Sequence, residues 1–164
     1  MLLSREINKE EKLDEICESL NELIRNELKI DLNFSYYGDE KEGYYTIHNK
    51  NKSNEEKRVD LNMRLYFEKE KENFLYAYIM WFSVNPKKVG IGSNIIKEII
   101  NILKDLTTIE FIIIHPKDKE VKSFWIKNNF KEDINKILKD KRVILNNRRI
   151  LSLYIKENLC FSDN

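Results

Sequence analysis

The sequence predicts an α+β fold of layered (α/β) architecture, with helices flanking a central sheet, and three observations carry that prediction. Apolar residues recur at helical spacing over residues 10–30 and again over 93–106. Other short runs either alternate apolar and polar residues or are continuously apolar, as strands do. The two kinds of run follow each other along one chain, so helices are placed over a shared sheet.

Taken in order, residues 2–7 read as a short strand. In 10–30, Leu13, Ile16, Cys17, Leu20, Leu23, Ile24 and Leu28 form one apolar stripe of an amphipathic helix. The stretch through Tyr36, Tyr37, Gly38, Asp39 and Glu40 is turn-rich and reads as a loop suited to cover a site. Residues 43–49 and 59–68 read as an antiparallel hairpin with a polar tip, and the alternation of Val59, Leu61, Met63, Leu65 and Phe67 predicts one buried face. After a turn at 69–73, residues 74–84 are almost continuously apolar or aromatic and predict a central strand covered on both faces, ended by Asn85 and Pro86. Ile95, Ile96, Ile99, Ile100, Ile102 and Leu103 give the second helix a broad buried stripe. A β-branched strand at 109–114 is stopped by His115 and Pro116. A helix over 118–128 carries Val121, Phe124 and Trp125, and a helical patch at 134–138, an Asn146–Asn147 turn and an alternating run at 150–155 complete the chain.

The 164 residues contain no repeat and no Pro-, Gly- or Ser-rich linker, which predicts a single domain over 1–164. A charged fraction of 35% is high, but eight Phe, eight Tyr and two Trp supply the bulk a core needs. Lys and Arg number 29 against 28 Asp and Glu, so no field draws in nucleic acid or an anionic membrane, and the small cluster Arg142, Arg148 and Arg149 reads as a surface face. Cys17 and Cys160 fit neither a disulfide framework nor a zinc spacing, and no metal site is expected. A charge at Arg5 precedes any apolar run of signal-peptide length and no segment has bilayer-spanning length, so a cytoplasmic location is expected.

One stretch carries chemistry. Where the strand ends and the second helix begins lies Lys87-Lys88-Val89-Gly90-Ile91-Gly92-Ser93, holding two of only four glycines. Glycines permit close backbone approach, and the N–H groups of a helix start favour an anion such as a pyrophosphate. A Walker loop needs Lys then Ser or Thr after its last glycine, but Gly92 is followed by Ser93 and Asn94. A dinucleotide fingerprint wants a third glycine where Ile95 stands. A plain strand-to-helix turn accounts for the pair of glycines equally well in isolation.

The loop resembles the coenzyme-A loop of the Gcn5-related N-acetyltransferase (GNAT) family, Arg or Gln, two residues, Gly, one residue, Gly or Ala, with Lys87 in the basic position and Val84-Asn85-Pro86 before it. The segment from Asp118 to Phe130 resembles the family's second motif, Asn-x-x-Ala-x-x-Phe-Tyr-x-x-x-Gly-Phe, with Asp118 for the Asn, Trp125 for the Tyr and Asn129 for the Gly. The resemblance covers residues 74–130 and implies a GNAT-like mixed, mainly antiparallel central sheet flanked by helices.

It further implies an acetyl-CoA-dependent N-acetyltransferase acting on a primary amine. Phe82, Ser83 and Val84 would take the pantetheine arm and Lys87, Lys88, Val89, Gly90, Ile91, Gly92 and Ser93 the pyrophosphate, with Asp118 and Trp125 alongside. Asp118 as a helix cap and Trp125 as core packing are at least equal readings. The implied partners are acetyl-CoA and an amine acceptor, whether small molecule, peptide or protein; a homodimer is left open. Many members use the motif's Tyr to protonate the departing thiolate, which the indole N–H of Trp125 does not do. His115, Glu68 and Tyr78 are candidates for the general base, with no choice among them, and no catalytic residue is assigned. The alternatives are a non-catalytic coenzyme-A-binding module and a protein-interaction module of the same fold, the latter drawing on Tyr36, Tyr37, Tyr44 and Tyr45.

Overall fold

The computed structural model describes residues 8–39, 41–49, 57–68, 73–87, 90–132 and 150–155. The expected strand at 2–7, the helical patch at 134–138, the Asn146–Asn147 turn, the Arg142–Arg148–Arg149 cluster and Cys160 lie outside the described residues, as do Lys88 and Val89 of the glycine loop.

The elements run α1 (Lys9–Leu28), β1 (Phe34–Asp39), β2 (Tyr44–Asn49), β3 (Arg58–Phe67), β4 (Phe74–Asn85), α2 (Ile91–Leu106), β5 (Phe111–Ile114), α3 (Lys119–Lys127) and β6 (Leu151–Tyr154). The strands form one sheet in the order β1-β2-β3-β4-β5-β6. Every neighbouring pair is antiparallel except β4 and β5, which are joined through α2 and run parallel. The fold is therefore α+β, with a mixed, mainly antiparallel sheet and flanking helices, the class the sequence predicts.

Alternation decides the faces of the sheet. Val59, Leu61, Met63, Leu65 and Phe67 are buried in one continuous core with the stripe of α1 and with Ile95, Ile96, Ile99 and Leu103 of α2. The side chain of Asn8 caps α1 by accepting from the Glu10 N–H at 2.6 Å, and Lys29 ends it with φ 56°. Cys17 lies in this core, where burial and then the charges of Asp14 and Glu18 push its thiol up to about 12, leaving it protonated and inert.

On the opposite face one row of rings crosses five strands. Tyr44, Tyr66, Tyr76, Phe111 and Tyr154 are direct cross-strand partners in turn, with centroid separations of 5.2, 4.5, 5.2 and 5.7 Å. Such partners set register, because a slip of one residue would move every ring to the other face.

Two expectations are corrected. The tyrosine-bearing stretch read as a covering loop is strand β1, paired with β2 from Phe34↔Asn49 to Asp39↔Tyr44. Gly38 marks close approach of backbones: a Cβ there would lie 2.5 Å from the Tyr44 carbonyl oxygen. Secondly, β4 is covered on both faces only in its first half, and Trp81 beyond is 48% exposed.

Because Tyr76 is 3% exposed at the centre of the row, Tyr76→Ala is expected to lower the unfolding free energy by about 3 kcal/mol or more. Tyr154→Ala, at the row's 41% exposed end, is expected to cost under about 1.5 kcal/mol. Urea unfolding of the two variants checks the contrast.

Candidate functional site

The site begins where two strands part. β4 and β5 pair from Tyr76↔Phe111 to Ile79↔Ile114. β5 then stops at His115 and Pro116, whose ring nitrogen has no N–H to continue a ladder. β4 runs on to Asn85, still paired with β3 on its other side. At the break the register shifts from Met63↔Ile79 to Asn62↔Trp81, which leaves Met80 as a bulge residue. Beyond Ile79, β4 has no strand on its β5 side among the described residues, so its edge-facing backbone groups line a cleft. Lys117, past the end of β5, places Nζ 4.2 Å from the centre of the Trp81 ring on β4 and spans the opening.

The helix α2 starts just after this free edge. Gly90 is its N-cap residue at φ 99° and supplies no side-chain cap, and the first turn holds no acid. The N–H groups of Ile91, Gly92 and Ser93 lack acceptors within the helix and are directed at whatever lies before it. Nothing lies within 4 Å of a Cβ built on Gly90, so glycine is demanded there by backbone angle and not by space. Gly92 is under no such demand: a Cβ there would lie 3.4 Å from the Phe124 ring and 3.8 Å from Phe82, in ordinary van der Waals contact. Asn128 of the α3 terminus donates to Ser93 Oγ at 3.2 Å and ties the two helices together. Lys87 is exposed at the entry to the loop.

The structure thus brings Phe82, Ser83, Val84, Lys87, Gly90, Ile91, Gly92 and Ser93 to one region, while Trp125 and Asp118 are occupied structurally. Trp125 is 5% exposed and enclosed by Phe82, Phe124 and Phe130 at centroid distances of 6.1, 5.2 and 4.9 Å. Phe82 turns its ring into the same cluster, so its backbone is what borders the cleft. Asp118 is exposed and caps α3, accepting from the Val121 N–H at 2.8 Å. Asn129 takes φ 69°, the left-handed conformation, and Phe130 N–H bonds the Trp125 carbonyl to close the helix end.

Of the base candidates, His115 is exposed as the first residue past the last β4–β5 pair. Tyr78 lies on β4 just before the break, and burial, then Tyr66, raise its pKa, partly opposed by Arg64, so it stays a neutral phenol. Glu68 follows the β3–β4 hairpin end at Phe67↔Phe74, on the order of 20 Å of strand from the break, and is removed from the cleft.

A groove of about 620 Å³ lies beside the free half of β4, bordered by His48, Asp60, Asn62, Trp81, Ser83 and Lys87, within the size range of small-molecule sites. Arg58 Nε lies 2.6 Å from Asp60 Oδ2, and Ser83 Oγ donates to the same oxygen at 3.3 Å. Of these groove residues the sequence reading named Ser83 and Lys87 and missed His48, Asp60, Asn62 and Trp81. The alternation of β3 already puts Asp60, Asn62 and Arg64 on the face away from the core, but their partners on β4 depend on a bulge that no local pattern announces. A second concavity of about 430 Å³ adjoins Ser93 and is bordered by Lys97, Lys104 and Lys127.

Compared with known proteins, the chain matches no family profile, and no curated protein matches it. No helix among the described residues is long and apolar enough to cross a membrane.

Asp118→Ala is expected to lower stability by about 1 kcal/mol through loss of the α3 cap, and Asp118→Asn to restore most of it. Thermal unfolding of both variants tests the assignment.

Proposed function

We propose that the chain is an acetyl-CoA-dependent N-acetyltransferase of GNAT type that transfers an acetyl group to a primary amine. The observation that carries this reading is the parting of the parallel strands β4 and β5 beside the glycine start of α2. An amide-bearing arm finds backbone groups along Phe82, Ser83 and Val84 that no described strand pairs on the β5 side, and a pyrophosphate finds the N–H groups of Ile91, Gly92 and Ser93 in the first turn of α2. Lys87 supplies positive charge at one side of that helix start, and Lys97 and Lys127 border the concavity at Ser93 on the other.

The reaction is attack of a neutral amine nitrogen on the thioester carbonyl. The C–N bond forms, the C–S bond breaks, the thiolate leaves and the amine proton passes to a base or to water. His115 is the described imidazole at the break and is the residue best placed to take that proton. With a thiol pKa of about 8.5, the departing sulfur needs no strong acid, which accommodates Trp125 in place of tyrosine. A cytoplasmic location goes with this reading, in keeping with the free, buried thiol of Cys17. A second reading, binding of coenzyme A without turnover, is favoured by the burial of Trp125 in the core.

Calorimetric titration with acetyl-CoA tests the proposal. The wild-type chain is expected to bind with a Kd of about 1–100 μM, a common cosubstrate range. Gly90→Val, forced into a left-handed backbone at the helix start, is expected to weaken binding at least about tenfold while the chain stays folded. Absence of wild-type binding contradicts the proposal, and binding with no acetylation of any amine favours the second reading.

A further inference from the structure

The sheet face that bears the groove carries a second set of polar groups that the acetyl-donor site does not use. In one row across four strands, Tyr37, Thr46, Arg64 and Tyr78 are successive cross-strand partners. The Arg64 guanidinium lies 4.4 Å from the centre of the Tyr44 ring and also engages Tyr66, the next tyrosine along its own strand face. Four tyrosines, Tyr37, Tyr44, Tyr66 and Tyr78, therefore surround one arginine, and no carboxylate lies within ion-pair distance of it among the described residues. Arg64 Nε, Thr46 Oγ1 and Asn62 Oδ1 are all buried without a hydrogen-bond partner among the described residues. Three orphaned polar atoms side by side are costly unless something satisfies the cluster.

We propose that the Arg64–tyrosine cluster is a carboxylate-recognition site and that, given the acetyltransferase reading on which this step rests, it holds the carboxylate of an acceptor that also carries the reacting amine. A single guanidinium flanked by phenol donors suits a monoanion, whereas a phosphate dianion calls for more positive charge. The cluster joins the groove through Asn62, which belongs to both. Along β4 the break at Met80 begins two residues from Tyr78, about 7 Å away, so a small amino acid anchored at Arg64 directs its amine toward the parting strands.

The test pairs common L-α-amino acids with their carboxamides, acetyl-CoA as donor and released thiol as readout, for the wild type, Arg64→Gln and Arg64→Lys. The expected result is a preference in kcat/KM of at least about tenfold for acids over amides in the wild type. That ratio falls to near unity in Arg64→Gln, with acetyl-CoA affinity unchanged, and is partly kept in Arg64→Lys, which guards against a folding defect in the glutamine variant. Equal use of acids and amides by the wild type, or a preference that survives in Arg64→Gln, overturns the assignment. A chain that binds no acetyl-CoA fails the acetyltransferase reading instead. The carboxylate site is then judged by the Arg64 Nε–H nuclear magnetic resonance signal, which shifts saturably with the acids and not the amides if the site exists and stays unmoved by both if it does not.

Discussion

The architecture turns on the brevity of one strand. β5 has only Phe111–Ile114 to offer β4, because Pro116 ends what the β-branched run begins, while β4 continues to Asn85. A parallel ladder that ends early leaves the second half of β4 paired on one side only among the described residues, and the connection between the same two strands begins at the end of that half. That connection is α2, so an unpaired backbone edge and a helix amino terminus fall side by side from a single cause. The bulge at Met80 adds local twist where the strands separate.

What holds this arrangement open is packing behind it. Phe82 and Gly92 meet at Phe124, and Trp125 and Phe130 complete a cluster joining β4, α2 and α3. The cluster accounts for the bulk at Trp125: its ring is a wedge in the core between Phe82, Phe124 and Phe130. The other sheet face divides its work. The aromatic row from Tyr44 to Tyr154 fixes strand register, and the adjoining row, centred on Arg64, leaves polar atoms unsatisfied. Register and recognition thus occupy neighbouring rows of one surface.

Much of the fold was legible because periodicity alone encodes it. The α1 stripe and the strict alternation of Val59 to Phe67 correspond to buried residues one for one, the α2 stripe is buried at Ile95, Ile96, Ile99 and Leu103 and partly buried at Ile100 and Ile102, and Asn129 holds the left-handed backbone that a glycine would otherwise supply. β1 was not legible: Gly38 and its charged neighbours carry a turn signal, and only pairing with β2 shows that glycine is there for close approach. The glycine loop could be located from sequence, since Gly90 and Gly92 sit between strand and helix patterns. The groove could not, because Asp60, Asn62, Trp81 and Ser83 are brought together by a register that shifts at the bulge. Glu68 and His115 illustrate the same limit: both end strands in the sequence, and only the direction of β3 against β5 places one at the break and the other at the far end of the sheet.

Amide hydrogen exchange of Phe82, Ser83 and Val84, with and without acetyl-CoA, tests most directly whether the unpaired edge of β4 seats a ligand arm. Edge-facing amides there are expected to exchange rapidly in the free chain and to slow by about tenfold or more on addition of acetyl-CoA, with Ile91, Gly92 and Ser93 slowing in parallel. Exchange rates unchanged at saturating acetyl-CoA, or protection confined to other parts of the chain, would contradict the account.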